Sequence, residues 1–408
     1  MKLVIQDSDT TTVRTVRECD LETTIARITS TLPGLVVTPL AYEVFRYRLP
    51  KGVAIIYHDN RIIRTKNFWF EVRGLAALAK ELGVEFLHEQ RLNFSSGTQT
   101  EVDGIDRESQ QVMVELKQTV ITQEWVDFYS SKRKRLALRE CIIVAPSFAP
   151  TLQLPPHVRT FEFQPDIETL MTYYRHKFTL PEWFAPCISS RHVRVLLSSG
   201  NWRGIQRKLT QTAKHSPESK LVIALNVLAR RGQMPVRIYY SLSPMAIPAG
   251  EFRGRGYPLH RVLAAFDVDA SHKNHVIGPE GFCKECIADA ELKAALLAEL
   301  FQAQGWHFVR VFSGSKGFHF YLLEDGGGCM PCARELSESE ALTLAATLTD
   351  SAGNALTDNI HFRARDGSFD VHRIFKLPGS IDAATGIVVG ETFERLPFRD
   401  QMIEYFHS

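Results

Sequence analysis

Val262-Leu263-Ala264-Ala265-Phe266-Asp267-Val268-Asp269 is an apolar run that ends in two acids one residue apart. On a strand, alternate residues point to the same face, so Asp267 and Asp269 project together. Two carboxylates placed this way repel each other unless positive charge lies between them. A hard divalent cation, Mg²⁺ or Mn²⁺, prefers carboxylate oxygen and supplies that charge. Read alone, the pair is equally compatible with one acid capping the following loop.

Two stretches downstream add chemistry of the same kind. In Val309-Arg310-Val311-Phe312-Ser313-Gly314-Ser315-Lys316-Gly317-Phe318-His319-Phe320-Tyr321, two strand-like segments bracket a turn. Gly314 and Gly317 permit close backbone approach, while Ser313 and Lys316 offer a hydroxyl and a point charge suited to phosphate. His319 opens the second segment, within reach of a phosphate oxygen or packed as a core histidine. In Ser368-Phe369-Asp370-Val371-His372-Arg373-Ile374-Phe375-Lys376-Leu377-Pro378-Gly379-Ser380, Asp370 offers a third carboxylate. Arg373 and Lys376 carry charge able to grip a triphosphate, and Pro378-Gly379 forces a turn.

Taken together and in this order, the three stretches resemble the catalytic (small) subunit of archaeal and eukaryotic DNA primases, the archaeo-eukaryotic primase superfamily. That family shows a strand ending in Asp-x-Asp, then Ser-Gly-x-x-Gly-x-His, then an Asp followed by basic residues and Leu-Pro-Gly-Ser. The resemblance spans about 166–390. It implies that Asp267, Asp269 and Asp370 hold two Mg²⁺ or Mn²⁺ ions for phosphoryl transfer, and that Ser313, Lys316, His319, Arg373 and Lys376 bind the nucleoside triphosphate. It also implies a DNA template and primer as partners, with a large primase subunit or a helicase as a further partner. One departure stands out: the family's Leu-His-Gly-Lys-Thr-Gly is here Ile381-Asp382-Ala383-Ala384-Thr385-Gly386.

Between the first two stretches lies His272-Lys273-Asn274-His275, followed by Cys283-Lys284-Glu285-Cys286. Two histidines and two cysteines form a tetrahedral zinc ligand set, and primase small subunits commonly carry a structural zinc knob at this point. A rival arrangement joins Cys283 and Cys286 to Cys329 and Cys332.

Upstream, the pattern at 67–150 is helix, strand, strand, strand, helix, strand. A 3.6-residue apolar period runs from Glu71 to Leu82 and stops at Gly83. Strands follow at 84–92, 99–105 and 111–117, then a helix at 125–138 and a buried strand at 141–145. Asp103 lies on the second strand, and Glu115 and Lys117 share one face of the third. An acid pair binds metal, and the lysine orients a water or stabilises developing charge. This layout resembles the PD-(D/E)XK nuclease superfamily, with Glu71 as the accessory acid of some members. Lys132-Arg133-Lys134-Arg135 and Arg139 offer phosphate contacts beside it.

Residues 1–66 read as a β-rich extension without chemistry, with a hairpin at 53–57 and 61–64. Prolines punctuate a linker at 151–165, and 166–408 forms the primase-like domain with its zinc insertion. The expected class is α/β with mixed sheets: a primase-polymerase fold preceded by a smaller restriction-endonuclease-like domain. The composition of the 408 residues, 44% hydrophobic and 23% charged, excludes disordered and collagen-like classes. A net charge of +2 leaves any nucleic-acid site to local charge placement. With no long uncharged apolar run and an early acid at Asp7, a cytoplasmic protein without a membrane span is expected.

The function implied is a DNA primase or primase-polymerase of replication or repair, with a nuclease-like N-terminal domain. The alternatives are a gap-filling polymerase of end joining, a nuclease whose primase-like part positions nucleic acid, and a binding protein in which both folds are degenerate.

Overall fold

The computed structural model describes residues 68–94, 97, 99–199, 202–205, 216–246, 257–258, 261–270, 275–326, 329–337, 339–341, 343–344, 348 and 374–406, with five strands between 2 and 57. Asp370, Arg373 and His272 lie outside the described residues. The chain is a mixed α/β protein. Its N-terminal strands form an antiparallel sheet in the order Thr11–Thr15, Lys2–Asp7, Gly52–Tyr57, Val44–Leu49, Val36–Leu40. Gly52–Tyr57 pairs with Lys2–Asp7 and Val44–Leu49, and the expected partner at 61–64 lies outside the described residues.

A seven-stranded sheet follows, in the order Val276–Ile277, Phe86–Asn93, Gln99–Asp106, Val112–Leu116, Glu140–Ala145, Val158–Gln164, Gln401–Glu404. Its inner strands Val112–Leu116, Glu140–Ala145 and Val158–Gln164 are parallel. Parallel strands need cover on both faces, which is why Cys141-Ile142-Ile143-Val144-Ala145 is apolar without alternation. Ile142 and Val144 pack with Leu75 and Leu78 of the helix Phe68–Leu82. Cys141 and Ile143 pack with Val126 and Tyr129 of the helix Gln123–Arg135. The stretch 151–165, expected to be a linker, contains the strand Val158–Gln164; its prolines sit ahead of the strand, where no ladder donor is needed.

Both outer strands of this sheet come from the C-terminal half. Val276–Ile277 pairs with Phe86 and Leu87, and Gln401–Glu404 pairs with residues 161–164. Arg73, buried in the first helix, donates to Asp400 at the start of the last strand, and Asp400 also accepts from the Asp166 amide at 2.8 Å. One apolar core runs from Leu75 through Phe163 to Phe266 and Phe320.

Two further sheets build the C-terminal half. In one, Pro235–Ala246 lies between Arg191–Leu197 and Ile374–Lys376. In the other, Gly317–Gly326 lies between Ala265–Asp269 and Phe308–Phe312, with the helix Lys284–Ala303 supplying Ala290, Ala294, Leu297 and Phe301 to the core. Among the described residues no helix is long and apolar enough to cross a membrane.

Candidate functional site

The strand Ala265–Asp269 buries Phe266 and Val268 completely, which turns Asp267 and Asp269 to the opposite face. Antiparallel pairing sets Asp267 opposite His319 and Asp269 opposite Gly317. His319 Nε2 lies 3.7 Å from Asp267 Oδ1, and Lys316 Nζ lies 3.8 Å from Asp269 Oδ2. His319 is 5% exposed and stacks on Phe375 with ring centroids 4.3 Å apart. Burial, and then the Asp267 charge, push the Asp269 carboxyl above the usual range, against Lys316, Lys376 and His319. Two carboxylates on one face offer oxygen donors that suit a divalent cation.

Gly317 has no room for a side chain: a Cβ would overlap the Val268 carbonyl oxygen and lie 2.5 Å from Asp269 Oδ1. Because the obstacle is backbone of the paired strand, Gly317→Ala opens the Asp269–Gly317 pairing. The expected cost is about 1–3 kcal/mol, read as a lower urea midpoint than wild type.

Lys376 reaches the same turn from beneath. Its Nζ donates to Ser313 O at 2.8 Å, Ser315 Oγ at 2.9 Å and Asp382 Oδ2 at 2.7 Å. An ammonium has three protons, and in this arrangement all three brace the turn. Asp382 is fully buried and also holds Arg237 Nε at 2.9 Å. Burial opposes its ionisation, yet Arg237 and Lys376 outweigh burial and keep the carboxyl below its ordinary value. Thr385 Oγ1 donates to the Gly314 carbonyl and closes the turn from the other side. Ser313 is buried at the start of that turn. The motif departure at Asp382 thus carries a charge network that the sequence pattern does not announce.

A second constellation forms on the seven-stranded sheet. Lys117 Nζ donates to Asp103 Oδ2 at 2.8 Å and to Glu115 Oε2 at 3.4 Å. The Leu116 amide donates to the same Asp103 oxygen at 2.8 Å. Lys132 then donates to Glu115 Oε1 at 2.6 Å and to the Glu101 carbonyl at 2.6 Å. Burial raises the Glu115 carboxyl, opposed by Lys132 and reinforced by Asp103. Burial works against the Lys117 ammonium, but Asp103 first, with Glu115 among others, holds its pKa well above the ordinary lysine value.

Of the basic run beside it, Lys132 is buried in the site rather than displayed for phosphate. Arg133 Nη1 donates to the Leu138 carbonyl at 2.6 Å, and Arg135 lies 4.1 Å over Phe94. Sequence reasoning missed the role of Lys132, although the spacing Val126, Tyr129, Lys132 places it on the buried face of the helix.

Three of the four expected zinc ligands have described positions. His275, Cys283 and Cys286 present ligand atoms within 4.8 Å of one another, with His275 Nδ1 2.9 Å from Cys286 Sγ. The Cys283 sulfur accepts from the Val276 amide. Among the described residues, Cys332 takes no part; its thiol donates to Glu324.

No family model matches the chain, and no curated protein matches it. Among solved structures, the polymerase domain of Mycobacterium tuberculosis ligase D, in complex with DNA, is similar at 17% identity and a TM-score of 0.33, over 55% of this chain and 79% of that one.

Proposed function

We propose that the C-terminal half is a DNA-directed nucleotidyltransferase of the primase-polymerase kind. The observation that carries this reading is the face-to-face placement of Asp267 and Asp269 against the Ser313–Gly317 turn, with Lys316 and His319 against the two acids. Phosphoryl transfer needs positioning and charge neutralisation more than covalent help. Asp267 and Asp269, with Asp370, would hold two Mg²⁺ or Mn²⁺ ions, which neutralise developing phosphate charge when bound. Ser313, Lys316, His319 and Arg373 would bind the nucleoside triphosphate, and Lys376 with Asp382 would keep the turn in shape. The test is incorporation of labelled nucleotide on a primed DNA template by wild type and by Asp267→Ala. Equal incorporation by both ends the reading.

A second centre is supported by the contacts of Lys117 with both Asp103 and Glu115. In a metal-dependent nuclease the two acids would hold Mg²⁺ or Mn²⁺, and Lys117 would orient the attacking water and stabilise the charge that develops on phosphate. Lys117→Ala is expected to slow Mg²⁺-dependent cleavage of branched, duplex or single-stranded DNA by about 10²-fold or more. A gel assay of all three substrates reads this directly.

The three donors His275, Cys283 and Cys286 fit a structural zinc ion, with His272 as the fourth ligand. Its role there would be to fasten the segment carrying Val276–Ile277 to the helix Lys284–Ala303. Elemental analysis should give one zinc per wild-type chain, none in Cys283→Ser and one in Cys332→Ser.

A further inference from the structure

Beside the Lys117 centre lies a ligand cluster in which only Glu71, as an accessory acid, has a place in the nuclease-like layout, while His88 and Glu89 have none. Glu71 lies in the first turn of the helix Phe68–Leu82, and His88 and Glu89 lie on the strand Phe86–Asn93. One atom of each comes within 4.8 Å of the others. Glu71 is 4% exposed and His88 is 2% exposed. Glu71 Oε2 is buried, has no hydrogen-bond partner among the described residues, and lies 3.5 Å from His88 Nε2. A buried carboxylate oxygen without a hydrogen bond costs free energy unless something fills its lone pairs.

The backbone supports the same conclusion. Glu89 has φ +52°, a left-handed conformation unusual for a residue with a Cβ. It lies opposite Asp103 at a break in the ladder with Gln99–Asp106, where His88 pairs with Gly104 and Gln90 with Val102 and the register is the same on both sides. A left-handed residue within a strand re-aims its own side chain, and the Glu89 carboxylate comes to the cluster that includes buried Glu71. One imidazole and two carboxylates form a mixed nitrogen and oxygen set. Such a set favours Mn²⁺ or a later first-row divalent ion over Mg²⁺.

We propose that Glu71, His88 and Glu89 bind one divalent transition-metal ion, which ties the first helix to the strand Phe86–Asn93, second in the seven-stranded sheet. Its ligands are distinct from those of the Asp267 centre and of the cysteine cluster, although the His88 amide donates to the His275 carbonyl at 2.7 Å. It stands whether or not the neighbouring Lys117 centre cleaves DNA.

The test uses the full chain, stripped of metal and titrated with Mn²⁺, with free ion followed by electron paramagnetic resonance. Wild type should bind one ion more than Glu89→Gln and one more than His88→Gln. Loss of a ligand should weaken that site at least about tenfold, because even outer-shell changes weaken metal sites by that factor. Pulsed measurements on the bound ion should show nitrogen-14 modulation that persists in His319→Gln and disappears in His88→Gln. Glu89 is only partly buried, so Glu89→Gln decides the count if His88→Gln folds poorly. Equal stoichiometry and affinity in wild type and Glu89→Gln overturn the proposal, as does nitrogen modulation that survives His88→Gln. Loss of cleavage or of incorporation in either variant is not the readout, so failure of the catalytic readings and failure of this site are distinguishable.

Discussion

Asp267→Ala is expected to lose at least about 10³-fold in nucleotide incorporation, the equivalent of about 4 kcal/mol of transition-state stabilisation. The size follows from the role: this carboxylate would neutralise and position the cations on which in-line transfer depends. The fold should survive the change. Asp267 projects from a strand whose neighbours Phe266 and Val268 carry the packing, and its own side chain is 19% exposed. His319, opposite it, is held independently by its stack on Phe375. Single-turnover incorporation on a primed template measures the loss, and thermal unfolding by circular dichroism checks the fold. A well-folded variant that retains incorporation within tenfold of wild type would place the reaction elsewhere.

Lys132→Ala is expected to destabilise the chain by about 3–5 kcal/mol, because it strips a buried acid of its closest cation. Lys132 and Glu115 are 6% and 3% exposed in their side chains and lie 2.6 Å apart. The loss should depend on pH in a definite sense. Glu115 is already raised by burial, and removing Lys132 raises it further. A carboxyl whose folded pKa lies above its unfolded value contributes stability at low pH, and that contribution disappears as pH rises through the folded pKa. The deficit of the variant should therefore shrink as the solution is acidified from neutrality, which urea unfolding at several pH values will show. Were Lys132 a surface phosphate contact, the substitution would shift stability by no more than about 0.5 kcal/mol and act only on DNA affinity.

Much of this architecture was legible from local pattern. The helix starting near Glu71, the alternating acids of Ala265–Asp269 and the apolar run at 141–145 each have one period that fits, and they fold accordingly. What escaped is long-range pairing. The charge run at 132–135 looks like a solvated face until Val126 and Tyr129 are counted with Lys132 as one buried stripe. Arg237 and Asp382 meet across 145 positions of chain, so no window contains both. Val276–Ile277 is two residues long, below the length at which alternation can be read.

That two-residue strand has a consequence for how the molecule can be divided. With Gln401–Glu404 it caps the sheet that carries Asp103 and Glu115, so a fragment ending near residue 165 would present two raw ladder edges to any other chain. Shuffling, cloning or trimming one half alone yields an adhesive remnant rather than a module. With the sheet and core shared in this way, the two centres are expected to melt together, in a single calorimetric transition.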